Sequence, residues 1–298
     1  MIQSQAILYF AEIVRVGSLR KAAENLLITP SAVSRQVANL EEELGAPLFN
    51  RSSRGMVLTD AGNALLRYVE DSQASIRKLR STIDGLGNLS RGSVRLAVVE
   101  ATTSEFLPRL LADFSYDYPN IHFEIRVAGT HEIADHVSAD RADIGLAFNV
   151  LDRDDLTLQS RMAQPLQVIC RGGHPLASRS EMSIADLGDF AIALPARSFG
   201  IRYLVDQAAA RAKIDLNVRY EADSLQLIKN IVSASDVIAF MPPLTFESER
   251  SAGTLHSILF SDVASERSSV DVVTSRYREL SAASRAFLAR ICTAMRSI

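Results

Sequence analysis

Ser31, Ser34 and Arg35 have the types and spacing to read the edge of a base pair. They share one side of a helix that Pro30 can open, near its amino-terminal end, where recognition helices present such side chains. A guanidinium grips guanine O6 and N7 through two hydrogen bonds, so Arg35 is the strongest base-reading candidate. A second group suits a small anion. Thr102 and Thr103 offer hydroxyls and helix-start N–H groups, and Arg202 can hold a carboxylate through two parallel hydrogen bonds.

Patterns with a catalytic look lack their partners. Ser18-Leu-Arg-Lys21 matches the S-x-x-K of serine acylases, but the companion motifs are missing and Ser18 suits a helix cap. His131 and His136 are five residues apart, which sets their imidazoles about 140° apart around a helix and unfit to share a metal. Arg171-Gly172-Gly173-His174-Pro175 is a turn without the third glycine of a dinucleotide loop. Cys170 and Cys292 suit small buried hydrophobes. The expectation is no enzyme, no cofactor and no metal.

The elements that position the base-reading face follow from apolar spacing. Ile7, Phe10, Ala11 and Val14 form one helical stripe, Gly17 can end that helix and Ser18 can cap the next. Ala22 and Ala23 allow a close helix crossing, with Leu26 and Leu27 toward the core. Thr29 is the expected N-cap of a third helix, buried along Val33, Val37, Leu40 and Leu44 and stopped by Gly45. Residues 59–88 then carry two heptad rows, Leu65/Ser72/Leu79/Leu86 and Gly62/Val69/Ile76/Ile83, read as a coiled-coil seam with Gly62 and Ser72 as weak points. A helix packed on its own domain is the competing reading. Gly85, Gly87 and Gly92, with Asn88 and Ser90, suit a hinge.

From Ser93 the pattern alternates strands and helices, the βαβ grammar of a parallel sheet. Expected strands are Val94–Val99, Ile121–Val127, Ile144–Phe148, Gln167–Cys170, Phe190–Leu194, Val218–Ala222, Val237–Met241 and Val270–Thr274. Expected helices are Phe106–Tyr116, Thr130–Ala139, Gly200–Ala212, Ser224–Ala234 and Ser281–Met295. Ligands of open α/β sheets bind beyond the carboxyl ends of strands. That rule nominates Ala101, Thr102, Thr103, Thr130, Phe148, Asn149, Ser198, Phe199, Gly200, Arg202, Met241 and Pro242 as the lining of an inter-lobe cleft.

The stretch Ala22-Ala23, Thr29-Pro30-Ser31-Ala32-Val33-Ser34-Arg35, Leu40-Glu41, Leu44-Gly45, Leu48-Phe49, Arg51, Arg54 and Leu58-Thr59-Asp-Ala61-Gly62 resembles the winged helix-turn-helix of the LysR-type transcriptional regulators. The resemblance extends through Arg141-Ala-Asp143-Ile-Gly145-Leu and His174-Pro175-Leu176-Ala177 to nearly the whole chain. It implies an α/β multidomain protein: a winged helix-turn-helix at 1–58, a linker dimerisation helix at 59–89 and a periplasmic-binding-protein-like effector domain at 90–298. Lobe I of that domain is expected at about 90–163 and 268–298, and lobe II at about 164–267. It places Thr29, Pro30, Ser31, Ser34 and Arg35 at DNA-facing positions, and Arg51 and Arg54 in the wing that contacts the backbone and enters the minor groove. Two departures stand out. Thr29 replaces a frequent Gln and reaches less far, and Ser235-Asp236-Val237 stands where a Gly-x-Gly is common.

Net charge is only −3, and residues 1–60 balance six Arg or Lys against six Asp or Glu, so arrangement must matter more than bulk charge in any grip on DNA. No apolar run approaches the roughly twenty residues that span a bilayer, and no secretory signal is evident. The expected partners are double-stranded promoter DNA, an effector with an anionic group, RNA polymerase and further copies of the chain as homodimer or homotetramer, in the cytoplasm with no membrane. A regulator with a vestigial cleft, or an enzyme using the cleft, are the other classes left open; effector titration and turnover assays separate them.

Overall fold

Caps and glycines set the amino-terminal elements. Helix α1 (Gln5–Val16) closes where Gly17, at φ +66°, donates its N–H to Ile13. Helix α2 (Leu19–Asn25) opens on Ser18, whose hydroxyl accepts from Lys21 N. Helix α3 (Pro30–Leu44) opens on Thr29, whose Oγ1 accepts from Ala32 N at 3.3 Å, and ends on Gly45 in the left-handed region. A hairpin, β1 (Phe49–Ser52) and β2 (Gly55–Leu58), pairs Phe49 with Leu58, and the 25-residue α4 (Asp60–Asp84) follows.

The computed structural model describes residues 5–52, 55–84, 91–150, 152–188, 190–261 and 268–296. The chain divides into two units, Met1–Ile83 and Asp84–Ile298. The first has its own core of Phe10, Ile13, Ala22, Ala23, Val33, Val37, Leu40, Leu48, Phe49 and Val69. Three sequence expectations need correction here. Leu27 does not face the core: it is 92% exposed at φ +57°, because it forms the turn between α2 and α3. Leu44 is half exposed, since the helix stops beside it. Gly62 is no gap in a seam. A Cβ there would fall 2.2 Å from the Leu48 carbonyl, so the glycine permits close approach of α4 to its own domain, and Val69 is buried in the same core. The start of α4 is thus an intradomain helix. Leu79 and Ile83 side chains, Leu86 and the glycines at 85 and 87 with Asn88 and Ser90 lie outside the described residues.

The second unit holds two mixed sheets. One has the order β4-β3-β5-β13-β6, built from β3 (Gly92–Val98), β4 (Ile121–Val127), β5 (Ile144–Phe148), β6 (Leu156–Ala163) and β13 (Ser269–Ser275). The other has the order β10-β9-β11-β7-β12-β8, built from β7 (Gln167–Arg171), β8 (Glu181–Met182), β9 (Ile192–Pro195), β10 (Val218–Ala222), β11 (Ile238–Met241) and β12 (Leu255–Phe260). Helices α5 (Phe106–Asp117), α6 (Thr130–Ser138) and α10 (Ala282–Met295) accompany the first sheet. Helices α7 (Gly200–Ala212), α8 (Leu225–Ala234) and the short α9 (Glu247–Ser251) belong to the second.

The sheets are not wholly parallel, as the alternation of strands and helices suggested. β13 runs antiparallel to β5 and β6, and β7 antiparallel to β11 and β12. The cause is connectivity. The chain leaves the first sheet after β6 and returns to it at β13, so these strands lack the right-handed helical crossover that makes neighbours parallel. Where the two crossings meet, Gln164 N donates to Ser268 O at 2.7 Å and Ser268 Oγ donates back to Gln164 O. Both residues are buried, so the two crossing segments are hydrogen-bonded to each other rather than a loose tether.

Candidate functional site

In the first unit the cap that starts α3 also arranges its polar end. Thr29 Oγ1 lies 3.1 Å from Ser31 Oγ, and Thr29, Pro30, Ser31 and Arg35 are exposed, with Ser34 partly so. Val33 and Val37 anchor the opposite side of the helix in the core. The Arg35 guanidinium has no protein partner among the described residues, whereas Arg15 is bound to Glu12 and Arg20 to Glu24. A cation free of internal partners and carried on a rigid helix is available to an external acceptor. In the hairpin, Arg51 pairs with Met56 across the strands, and Glu41 Oε1 accepts from Leu48 N at 2.7 Å, which fixes where β1 begins. The Arg51 side chain and all of Arg54 lie outside the described residues.

In the second unit a pocket of about 240 Å³ opens between the two sheets. Ala101, Thr130, Phe148, Ser198, Phe199 and Gly200 line it, six of the twelve residues nominated from strand ends. Two helix starts meet there. α6 opens on Gly129 and α7 on Phe199, and neither cap supplies a side-chain acceptor to its first-turn N–H groups. They come from opposite sheets and approach closely: a Cβ on Gly129 would lie 3.3 Å from the Ser198 carbonyl. Thr130 Oγ1 donates to Phe148 O at 2.9 Å, locking the start of α6 to the end of β5.

The other six nominated residues have work elsewhere. Thr102 is fully buried and its hydroxyl donates to Val99 O; Thr103 donates to Glu100 O. Both hydroxyls stabilise one 3-10 turn rather than face the cavity. Asn149 Oδ1 accepts from Ser269 N at 2.7 Å, which turns its side chain toward β13. Arg202 is nearly buried, with Nε on Asp206 and Nη1 on Glu221 at 2.7 Å. Its hydrogen bond to Glu221 raises its pKa further, and Nε and Nη1 are already engaged. Met241 is fully buried, and neither it nor Pro242 lines the pocket. Asp236, from the stretch that stands where a Gly-x-Gly is common, pairs with Arg171 and also lies away from the lining.

Sequence reasoning missed Glu100, Asp223 and Leu225, which the pocket includes. Glu100 Oε1 accepts from Leu225 N at 2.9 Å, Gln226 N at 3.3 Å and Ser224 Oγ at 3.1 Å. A carboxylate from the first sheet therefore sits at the start of α8 in the second. Glu100 and Asp223 are the charged side chains of the lining, and both are acidic.

Comparison with known proteins places these two sites in one context. Residues 4–63 match the model for the bacterial regulatory helix-turn-helix protein, lysR family, and residues 87–296 match the LysR substrate binding domain. The chain is 30% identical to the HTH-type transcriptional activator CmpR of Synechocystis sp. (strain ATCC 27184 / PCC 6803 / Kazusa), over 75% of this chain and 73% of the relative. It is 31% identical to a probable RuBisCO transcriptional regulator of the same organism, over 92% of this chain and 81% of that one. Among solved structures, a full-length OxyR variant from Pseudomonas aeruginosa superposes with a TM-score of 0.72 at 18% identity, covering 98% of this chain and 93% of the other. The CcmR regulatory domain from Synechocystis PCC6803, in complex with 2-PG, gives 0.62 at 26% identity, over 70% and 99%.

Proposed function

This chain belongs to the LysR family of bacterial helix-turn-helix transcriptional regulators, and from that premise we propose how its two sites work. It is a DNA-binding regulator with a substrate-binding domain, not an enzyme. In our reading α3 enters the major groove, Arg35 grips a base edge and Thr29, Ser31 and Ser34 set the register through neighbouring bases and phosphates. Arg51 and Arg54 supply the backbone contact of the wing. Two copies, paired through the second half of α4 (Ile76 and Ile83), read a pseudo-palindromic promoter site, and two such dimers form a tetramer. The protein acts in the cytoplasm, beside the RNA polymerase that it contacts.

The effector is a small molecule with an anionic group, held in the pocket by the first-turn N–H groups of α6 and α7. One observation carries this: two helix starts from opposite sheets, without side-chain caps, line the same cavity. A ligand bound to both holds the sheets at one separation. It changes DNA binding by favouring one assembly geometry over another, which requires different affinity for the two.

The test is titration of the full chain bound to its own upstream promoter region, with footprinting at each step. 2-PG is the first probe and a panel of small organic acids follows. A ligand-dependent change in footprint supports the reading. A panel that changes neither thermal stability nor footprint removes the effector and leaves a DNA binder alone.

A further inference from the structure

We propose that Glu100 and Glu105 form a paired latch that holds the two sheets of the second unit closed across the pocket. This deepens the effector reading by naming what a ligand must work with or against, yet its test needs no effector, so the two stand or fall separately.

Both glutamates lie on the connection between β3 and α5, on the first sheet. Both give a carboxylate oxygen to main-chain N–H groups of the second. Glu100 Oε1 takes Leu225 N and Gln226 N, while Glu105 Oε1 takes Ser248 N at 2.7 Å. α8 has no acidic residue in its own first turn, and its cap, Ser224, satisfies only Leu227 N among these donors. The two preceding N–H groups are thus completed by the opposite sheet. A carboxylate at a helix start also gains from the helix dipole, so the contact favours closure beyond its hydrogen bonds.

Glu105 is oriented from behind. Arg109 Nη2 holds its second oxygen at 2.9 Å, leaving Oε1 for Ser248. The target is braced too. Lys229, nearly buried in α8, donates to Thr245 O at 2.7 Å and to Glu249, so α8 and α9 are tied into one body. Four residues separate the two glutamates on one side, and an ion-paired helix couple receives them on the other. Neither contact can open by a rigid movement of the sheets without straining its partner. Glu100 also lines the pocket, whereas Glu105 does not, so a ligand meets one half of the latch directly. An anion seeking the start of α8 must displace Glu100. A ligand donating a hydroxyl or ammonium hydrogen meets its second oxygen, which has no protein partner among the described residues.

Amide hydrogen exchange on the full chain tests the coupling, with Glu100→Ala, Glu100→Gln and Glu105→Gln compared with wild type. Loss of Glu100 must speed exchange at Leu225 and Gln226, as any lost cap would. The latch further predicts faster exchange at Ser248, by about tenfold, because the sheets part together. Glu100→Gln, which keeps an acceptor oxygen, gives a smaller effect, and Glu105→Gln reciprocally speeds Leu225 and Gln226. Core amides of β5 and β11 serve as the folding control. Changes confined to each variant's own partner, with Ser248 unmoved in Glu100→Ala, overturn the latch and leave two separate caps. If Glu100→Ala does not fold, Glu105→Gln decides, and unchanged Leu225 and Gln226 overturn it equally.

Discussion

The first turn of α7 rests on the ring of Phe148: a Cβ added to Gly200 would fall 2.8 Å from Phe148 Cδ1. Phe148 ends a strand of one sheet and Gly200 starts a helix on the other, so this is a contact across the pocket. The ring is almost wholly buried, so it must shift if a methyl group is added there. Gly200→Ala gains helix propensity, worth at most about 1 kcal/mol and less at a first-turn position. Overpacking costs about 1–3 kcal/mol, so we expect net destabilisation. Urea unfolding of the full chain measures the sign; a more stable variant would mean that the two sheets separate there without cost.

How far the sequence carried this picture depends on range. Caps and helices were legible because Ser18, Thr29, Ser224 and Ser281 act on N–H groups three residues ahead. Half of the residues nominated for the pocket line it, because strand ends point to it. Arg202 misled because its Glu221 partner lies on a separate element, β10, and a free and a paired guanidinium look alike in sequence. Glu100 was invisible for the converse reason: the helix that it completes begins 125 residues later. Strands β6 and β12 also went unread. Edge exposure breaks the alternation of β6, where Leu158 faces solvent beside buried Leu156 and Met162.

The turn before α3 holds a conformation that its residue disfavours. Leu27 adopts φ +57° while almost fully exposed, so its Cβ is strained and its side chain gains little from burial. Leu27→Gly should stabilise the first unit by about 1 kcal/mol. Thermal unfolding followed by a probe in that unit checks this, and a lowered midpoint would show that Leu27 makes a contact the strain supports.

Acid should loosen the first unit through Glu12. Hydrogen bonds from Arg15 and Asn25 hold its carboxyl at about 2, below the usual 4.5. The folded value is the lower one, so the stabilisation is full above pH 4.5 and fades as pH falls toward 2. Urea midpoints measured through that window should fall with pH, and Glu12→Gln should flatten the dependence. An identical slope in the variant would assign the effect to other carboxylates.

The cysteines should be inert in the native chain. Burial in β7 pushes the Cys170 thiol up to about 11, and burial also raises that of Cys292. The thiolate is the reactive form, so little is present near neutrality. A thiol reagent should label the folded protein slowly and the unfolded protein at once. Rapid native labelling of Cys170 would reveal an opening that exposes the core of the second sheet.

The central claim is that α3 presents Arg35 to base edges, and competition binding tests it most directly. The full chain is titrated onto its own upstream promoter region against random duplex at fixed salt, alongside Arg35→Ala. The account predicts a clear preference for the promoter in the wild type, and a loss of at least about tenfold in promoter affinity in the variant, with little change on random duplex. Equal affinity of both proteins for the promoter would contradict it.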